Sequence, residues 1–289
     1  MKMQDRIIQR QNSDDMLRCQ YAARYYFNRG EKILLAALIL SVINVLFTSL
    51  PSSSNTYIQR IMQITSIVLG IFTAFLYLWL DRMIHNAAEL RNYFDETVLS
   101  INAHSFSYDK RTLRTLIDRA IYINEEEAQV QIKNNAYANP PGVKDWYEFA
   151  KEYQDEEVVF ECQRQNQWWN NKMLYRRLAV SATCFSVLLI SAIVLCVYSK
   201  GSIFNIIFAF LVAIGVFIDR IIVNCKYISL SIKIDIFCES MKNDRTPQQI
   251  QQLQELIANR RRIRVLEMSI IHKRKASVLS EKYKKIAKE

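Results

Sequence analysis

The sequence predicts an all-α membrane protein in which four transmembrane helices form two hairpins. Four segments lack charged residues and have the length of a membrane span: residues 33–50, 61–80, 178–199 and 201–218. A helix rises about 1.5 Å per residue, so about 20 apolar residues cross a hydrocarbon core of about 30 Å. A buried helix of a soluble protein explains one such segment, but four of them indicate a membrane protein.

The distribution of lysine and arginine predicts how the chain crosses the membrane. Of the 38 basic residues, 36 lie in residues 1–32, 81–177 and 219–289. Only Arg60 and Lys200 fall in the two short links between paired segments. Basic residues are retained on the cytoplasmic side of a membrane. We therefore expect both termini and the region between the hairpins to be cytoplasmic.

These segments divide the chain into five predicted regions. They are a cytoplasmic amphipathic N-terminal helix (1–32), the first transmembrane hairpin (33–80), a cytoplasmic helical domain (81–177), the second hairpin (178–218) and a basic cytoplasmic helical tail (219–289). The domain is predicted to contain a helix over 110–123 and a helix break at 140–142. The tail is predicted to form one long helix from Pro247, with apolar positions at Ile250, Leu253, Ile257, Ile263, Leu266 and Ile270.

The tail carries most of the net positive charge, with 16 basic and 8 acidic residues. Each cation near an anionic inner leaflet gains about 1 kcal/mol, so the sequence predicts contact with membrane lipid. The "ANRRRIR" motif at residues 258–264 is typical of a solvated helix face. A phosphate-binding or leaflet-facing role stays open as the alternative. A nucleic-acid polymer is not an expected partner, because these basic residues belong to no recognised nucleic-acid-binding fold or motif.

The sequence contains no pattern typical of catalysis or of cofactor binding. Its five glycines form no phosphate-binding loop, and it has no HExxH or Ser/His/Asp arrangement. The six cysteines show neither a CxxC spacing nor a Cys/His cluster, and the cytoplasm is reducing. We therefore expect no enzyme activity, no catalytic residue, no metal, no cofactor and no disulfide.

Polar residues recur at helical spacing inside the first two predicted spans. They are Ser41, Asn44 and Thr48 in the first span, and Gln63, Ser66 and Thr73 in the second. Such spacing places the polar side chains of each span on one face of its helix. A face of this kind is either a helix-packing seam or part of a pore lining, and packing seams are the more common. No predicted span has a central charge, which argues against a proton-coupled transporter.

Two adjacent tryptophans, Trp168 and Trp169, precede the third predicted span. If the chain is helical from Trp169 to Leu178, these residues are about 14 Å apart along the helix. The polar interface on each side of a bilayer is only about 5–8 Å thick. The tryptophans are therefore expected in the cytoplasmic domain, where they either pack in a core or form a platform on which a nucleobase stacks.

Short motifs at five places in the chain resemble one bacterial family. They are "RQN" at 10–12, "YAARYY" at 21–26, "DWY" at 145–147, "CQRQNQWW" at 162–169 and "LYRR" at 174–177, directly before a hydrophobic hairpin. In this order, with two hydrophobic hairpins around a polar domain, the chain resembles the four-transmembrane effectors associated with second-messenger oligonucleotide synthases (SMODS). The resemblance covers nearly the whole chain.

The resemblance implies a homo-oligomeric effector that forms pores in, or disrupts, the bacterial inner membrane during anti-phage defence. It also implies activation by a cyclic oligonucleotide made by a partner nucleotidyltransferase. Arginine forks bind phosphate and aromatic faces stack bases, and one such constellation is Arg164, Tyr147, Trp168 and Trp169. The alternative is a membrane receptor or scaffold that forms no pore and recruits a cytoplasmic partner through its basic tail.

Overall fold

The computed structural model describes residues 1–48, 56–136, 138–149, 151–198, 203–242, 245–263 and 265. Within these residues the chain forms eight α-helices and no β-strand, which confirms the all-helical prediction. The helices are α1 (Met3–Gln11), α2 (Asp14–Thr48), α3 (Thr56–Leu99), α4 (Lys110–Ile123), α5 (Glu125–Lys133), α6 (Asp155–Tyr198), α7 (Ile203–Ser240) and α8 (Pro247–Arg261).

Four long helices contain all or most of each charge-free segment of the sequence. α2 has 35 residues, α3 and α6 have 44 each, and α7 has 38. At about 1.5 Å per residue, a helix of 44 residues is about 66 Å long. That length is more than twice the thickness of a hydrocarbon core, which is about 30 Å. Each long helix therefore extends beyond its apolar segment into polar sequence.

The helices form two compact units. Unit 1 comprises Met1–Arg29, Met83–Leu174 and Tyr227–Glu289, and unit 2 comprises Gly30–Arg82 and Tyr175–Lys226. The four charge-free segments belong to unit 2, whereas the polar ends of the long helices and all the short helices belong to unit 1. The side of a membrane on which each region lies stays a prediction.

In unit 2, α3 exposes a row of apolar side chains. The row recurs every three or four residues, and each member is more than half exposed: Ile64, Ile67, Ile71, Phe75 and Leu78. Apolar patches of this extent are unusual on a soluble monomer. Among the residues that the structure describes, one helix is long and apolar enough to cross a membrane, and the qualifying stretch lies within Arg60–Leu99. The described helices alone therefore do not establish all four spans.

Unit 1 has an apolar core to which every one of its helices contributes. Its fully buried members include at least one residue from each helix: Ile7, Tyr21, Leu90, Phe94, Leu113, Ala128, Val158, Ile234 and Leu253. Burying one large apolar side chain contributes about 1.5–3 kcal/mol. In α8 the apolar positions predicted at Ile250, Leu253 and Ile257 are all buried, so this face of the helix packs in the core.

Local sequence signals fix the ends of the short helices. Asp109 caps α4 by accepting a hydrogen bond from the Thr112 N–H at 2.8 Å. Thr246 begins α8 with a capping box. The tail was expected to continue as one helix past Ile263, but α8 ends at Arg261, where the chain turns to form the ion pairs described below. Residues 264 and 266–289 lie outside the described residues.

The loop after α5 folds back onto the end of that helix. The Lys144 N–H donates to the Asn134 carbonyl at 3.0 Å. A Cβ atom at Gly142 would collide with the same carbonyl, so only glycine permits this close approach. The helix break predicted at 140–142 is confirmed, and the "DWY" motif follows directly.

Candidate functional site

α6 carries a row of buried amide side chains in unit 1. Gln163 Nε2 donates to the Ile250 carbonyl at 3.0 Å, and Gln167 Nε2, one turn later, donates to the Ser231 carbonyl at 2.9 Å. Gln163 is completely buried, and Gln167 is nearly so. These bonds join α6 to α8 and to the end of α7. Buried amides of this kind fix how helices pack, because a shift would leave their polar atoms unsatisfied.

Tyr147, which the sequence predicts to bind the ligand, lies in the core of unit 1. Its side chain is 2% exposed and stacks on Phe94, with 6.3 Å between the ring centroids. Its hydroxyl donates to Asp95 Oδ1 at 2.7 Å and accepts from Asn166 Nδ2 at 3.0 Å. Burial, and then the charge of Asp95, raise the pKa of Tyr147 well above its usual value, so the phenol stays protonated. A ring buried in this way offers no face to a stacked base.

The other three predicted ligand residues lie on α6 and are partly exposed. Arg164 donates through Nε and Nη2 to Glu161 Oε1, at 3.1 and 2.7 Å. Trp168 and Trp169 meet edge to face, with 5.8 Å between their ring centroids. α6 is continuous over these positions, so the predicted helical path from the tryptophans into the third apolar segment is confirmed. Ligand binding by Arg164, Trp168 and Trp169 stays a prediction.

Two buried carboxylates of α3 pair with arginines of the "ANRRRIR" motif. Asp95 accepts from Arg261 Nη2 at 2.7 Å. Glu89 accepts from both Nε and Nη2 of Arg262, at 3.1 and 2.9 Å. Both carboxylate side chains are completely buried, and buried carboxylates require a cation or several donors. The interpretation of this motif as a solvated face is therefore wrong for Arg261 and Arg262, because helical periodicity does not reveal a partner on another helix.

The "RQN" and "DWY" motifs bind each other. Gln11 Nε2 donates to the Tyr147 carbonyl at 3.1 Å, and Gln11 Oε1 accepts from the Tyr147 N–H at 2.7 Å. Asn12 and Asp145 form a second two-point contact, with bonds of 2.8 and 3.0 Å. These motifs therefore fasten the N-terminal segment to the central loop of unit 1. Both motifs carry the resemblance to the family, but their mutual contact is shown only by the structure.

Three of the polar residues predicted in the first two spans are buried in unit 2. The hydroxyls of Ser41 and Thr73 donate to the backbone carbonyl four residues earlier, each at 2.8 Å. Asn44 is 4% exposed. Hydroxyls bonded within their own helix allow close helix packing, which supports the packing-seam interpretation for this group.

The remaining three polar residues have other surroundings. Gln63 is exposed and Ser66 is half-buried. Thr48 is the last residue of α2, and its side chain lies outside the described residues. An exposed glutamine in a predicted span is compatible with a pore lining or with a contact to another copy of the chain.

Cys19 and Cys162 are buried, and burial favours the protonated thiol of each. Burial, and then the charge of Asp95, raise the pKa of Cys162 well above its usual value. Burial raises the pKa of Cys19 to about 12, and a thiol is nucleophilic only as thiolate. Within the part of the chain that the structure describes, no three His, Cys, Asp or Glu side chains lie close enough together to hold a metal ion.

The comparison with protein families agrees with the motifs described above. The family "SMODS-associating 4TM effector domain" matches residues 5–279, a range that includes every motif of the resemblance. No curated protein and no solved structure matches the chain. The family description denotes a membrane effector domain linked to cyclic-oligonucleotide signalling by a nucleotidyltransferase. The chain therefore belongs to the family of SMODS-associating four-transmembrane effector domains.

Proposed function

We propose that this protein is a ligand-gated effector that forms a pore in the bacterial inner membrane, or disrupts it, during anti-phage defence. In this proposal a cyclic oligonucleotide from a partner nucleotidyltransferase binds unit 1, and a homo-oligomer acts on the membrane through unit 2. The protein acts by binding and carries out no catalysis. The observation that carries the proposal is the family match over residues 5–279.

Two features of unit 2 support its role as the membrane part. Its four charge-free segments have 18 to 22 residues, which is the length required for four spans arranged as two hairpins. The exposed apolar row of α3 suits contact with lipid better than contact with water. Together with the basic residues on either side, these features favour a multi-pass protein with both termini in the cytoplasm.

The long helices support coupling between ligand binding and the membrane part. α2, α3, α6 and α7 each contribute residues to both units. A ligand shifts an equilibrium between two states only if its contacts differ between them. Each of these helices continues without a break from its polar end into its apolar segment. A contact made at the polar end therefore acts on the same helix that carries the apolar segment, with no flexible linker between the two.

Dye release from liposomes tests the proposed function. The purified full-length protein is reconstituted, and cyclic dinucleotides and trinucleotides are added. We expect at least one cyclic oligonucleotide to cause leakage, while its linear counterpart causes none. Binding without leakage would favour recruitment of a cytoplasmic partner through the basic tail. Neither binding nor leakage with any cyclic oligonucleotide would contradict the proposal.

A further inference from the structure

Arg91 of α3 lies against the ring of Trp146. The guanidinium carbon is 3.9 Å from the ring centroid, which is within the range of a cation–π interaction. Both side chains are partly exposed. A guanidinium stacked on a ring keeps its N–H donors in its own plane, where they remain able to bind an acceptor. Trp146 therefore orients the arginine fork without neutralising its charge.

Gln20 of α2 places a hydrogen-bond donor beside Arg91. Its side chain is 1% exposed, and its Oε1 accepts a hydrogen bond from Arg91 Nη1. Its Nε2 is buried and donates to no atom of the residues that the structure describes. Buried amide donors in folded proteins are almost always bonded. This donor therefore points to an acceptor that comes from outside the described residues.

Two further arginines make the surroundings of Arg91 electropositive. Arg261 contacts Asp95 at 2.7 Å, and its side chain is 11% exposed. Arg24 donates to Gln131 Oε1 and to the Pro141 carbonyl, each at 3.1 Å. Burial, and then the positive charges of Arg261 and Arg24, lower the pKa of Arg91 to about 10, although Asp95 opposes this shift. An anion that binds here would relieve the repulsion between these arginines.

We propose that Arg91, Arg261 and Trp146 form the binding site for a phosphodiester group of the activating cyclic oligonucleotide. This assignment rests on the proposed function and names the site at which its ligand binds. The two arginine forks hold the phosphate oxygens, since planar forks match phosphate geometry. Gln20 Nε2 donates to an oxygen of the same phosphate, and Arg24 contributes positive charge.

Occupation of this site changes the contacts of Asp95. Asp95 is buried between Arg261 and the hydroxyl of Tyr147. A bound phosphate draws Arg261 away from Asp95. The liganded state then has contacts that the free state lacks, which is what a switch requires. Asp95 lies on α3, and the same helix carries the exposed apolar row of unit 2. The ligand is thereby connected to the proposed membrane part through one continuous helix.

Thermal melting of the full-length protein in detergent tests the site, with a cyclic dinucleotide and a cyclic trinucleotide as probes. A ligand that binds only the folded protein raises its Tm. Arg91→Lys keeps the charge but loses the planar fork, so we expect the affinity for the active probe to fall at least about tenfold. Arg114→Lys, at an exposed position of α4, is the matched control and keeps the full Tm shift.

Gln20→Glu separates a binding role from a structural role. The new carboxylate pairs with Arg91 and competes with phosphate. We therefore expect the Tm of the free protein to be kept or raised, while probe affinity falls at least about tenfold. If Gln20 and Arg91 served only to stabilise unit 1, the same variant would keep its full probe affinity.

The other outcomes assign the ligand elsewhere. Unchanged probe affinity in both Arg91→Lys and Gln20→Glu overturns this site and leaves the proposed function intact. If Arg164→Lys weakens probe binding while Arg91→Lys and Gln20→Glu do not, the ligand site is assigned to α6. The absence of a Tm shift in the wild-type protein with either probe overturns both proposals. A Tm shift with short-chain anionic phospholipid, but with neither cyclic probe, assigns the arginines to a lipid headgroup and overturns the oligonucleotide assignment.

Discussion

At the scale of single residues, neighbours in one short motif have different surroundings. Tyr147 is buried and bonded to Asp95, whereas the adjacent Trp146 is partly exposed and carries Arg91 on its ring. Both are aromatic residues of the "DWY" motif, so the sequence gives no reason to choose between them as ligand contacts. Burial distinguishes them, because a stacked base requires an accessible ring face and the ring of Tyr147 is buried.

Removing the Tyr147 hydroxyl is expected to destabilise unit 1. Tyr147→Phe keeps the packed ring but takes away the donor 2.7 Å from the buried Asp95, so we expect the free energy of unfolding to fall by about 1–3 kcal/mol. Urea denaturation of the purified protein measures this loss. Tyr122→Phe, at a tyrosine that is 88% exposed, is the control expected to have no effect. Equal stability of Tyr147→Phe and the wild type would show that Asp95 does not need this donor.

Cys19 and Cys162 are expected to resist alkylation in the folded protein at pH 8. Burial raises the pKa of Cys19 to about 12, and it also raises the pKa of Cys162 well above the usual value of a thiol. Each thiol is thus both inaccessible and protonated. Mass spectrometry after treatment with iodoacetamide locates the modified residues, and protein unfolded in detergent and urea serves as the fully reactive control. Rapid modification of Cys162 before unfolding would contradict its burial.

At the scale of elements, α8 is held to α3 by ion pairs as well as by apolar packing. Ile250, Leu253 and Ile257 are buried on one side of the helix. At its C-terminal end, Arg261 and Arg262 meet two carboxylates that have no access to water. The apolar side could be predicted from spacing. The ion pairs could not, because Arg262 and Glu89 are 173 positions apart in the chain.

Breaking the pair between Arg262 and Glu89 is expected to have asymmetric effects. Arg262→Gln leaves a completely buried carboxylate without its cation, so we expect a loss of about 3 kcal/mol in the free energy of unfolding. Glu89→Gln leaves an arginine that is 34% exposed and reaches water, so the expected loss is smaller, about 1–2 kcal/mol. Denaturation of both single variants and the double variant measures the coupling.

An exposed ion pair provides the control for this cycle. Lys242 and Glu239 are 2.7 Å apart but more than half exposed, and Lys242→Gln is expected to change the stability by less than about 1 kcal/mol. Equal losses for Arg262→Gln and Lys242→Gln would contradict the assignment of a buried pair.

Asn44 and Gln63 are expected to respond differently to leucine. Asn44 is buried within unit 2, so Asn44→Leu should reduce the Tm of the single chain, by the equivalent of about 0.6–2 kcal/mol in the free energy of unfolding, the size typical of a polar contact between packed membrane helices. Gln63 is exposed, so Gln63→Leu should leave that Tm unchanged and instead reduce leakage or cross-linking between copies. Liposome leakage, cross-linking and melting distinguish these effects. A Gln63→Leu protein with normal leakage and assembly would assign neither a pore-lining nor an intersubunit role to Gln63.

At the scale of the whole molecule, the predicted topology is open to a direct test. Cysteines introduced at positions 53 and 202, which lie outside the described residues, are expected to react with a membrane-impermeant reagent in intact cells. Lys133→Cys in unit 1 is expected to react only after the cells are opened, because basic regions stay in the cytoplasm. Efficient labelling of Lys133→Cys from outside would overturn the topology.

The sequence by itself determined the helical class, the four charge-free segments, the bounds of α4 and the family. Each of these depends on local composition, on periodicity or on short motifs, all of which can be read along the chain. Tertiary structure decided which polar residues are in contact. Asp95 meets Arg261, Tyr147 meets Asp95, and Arg91 meets Trp146. These contacts join distant segments, and they form because buried polar groups must find partners wherever helix packing places them.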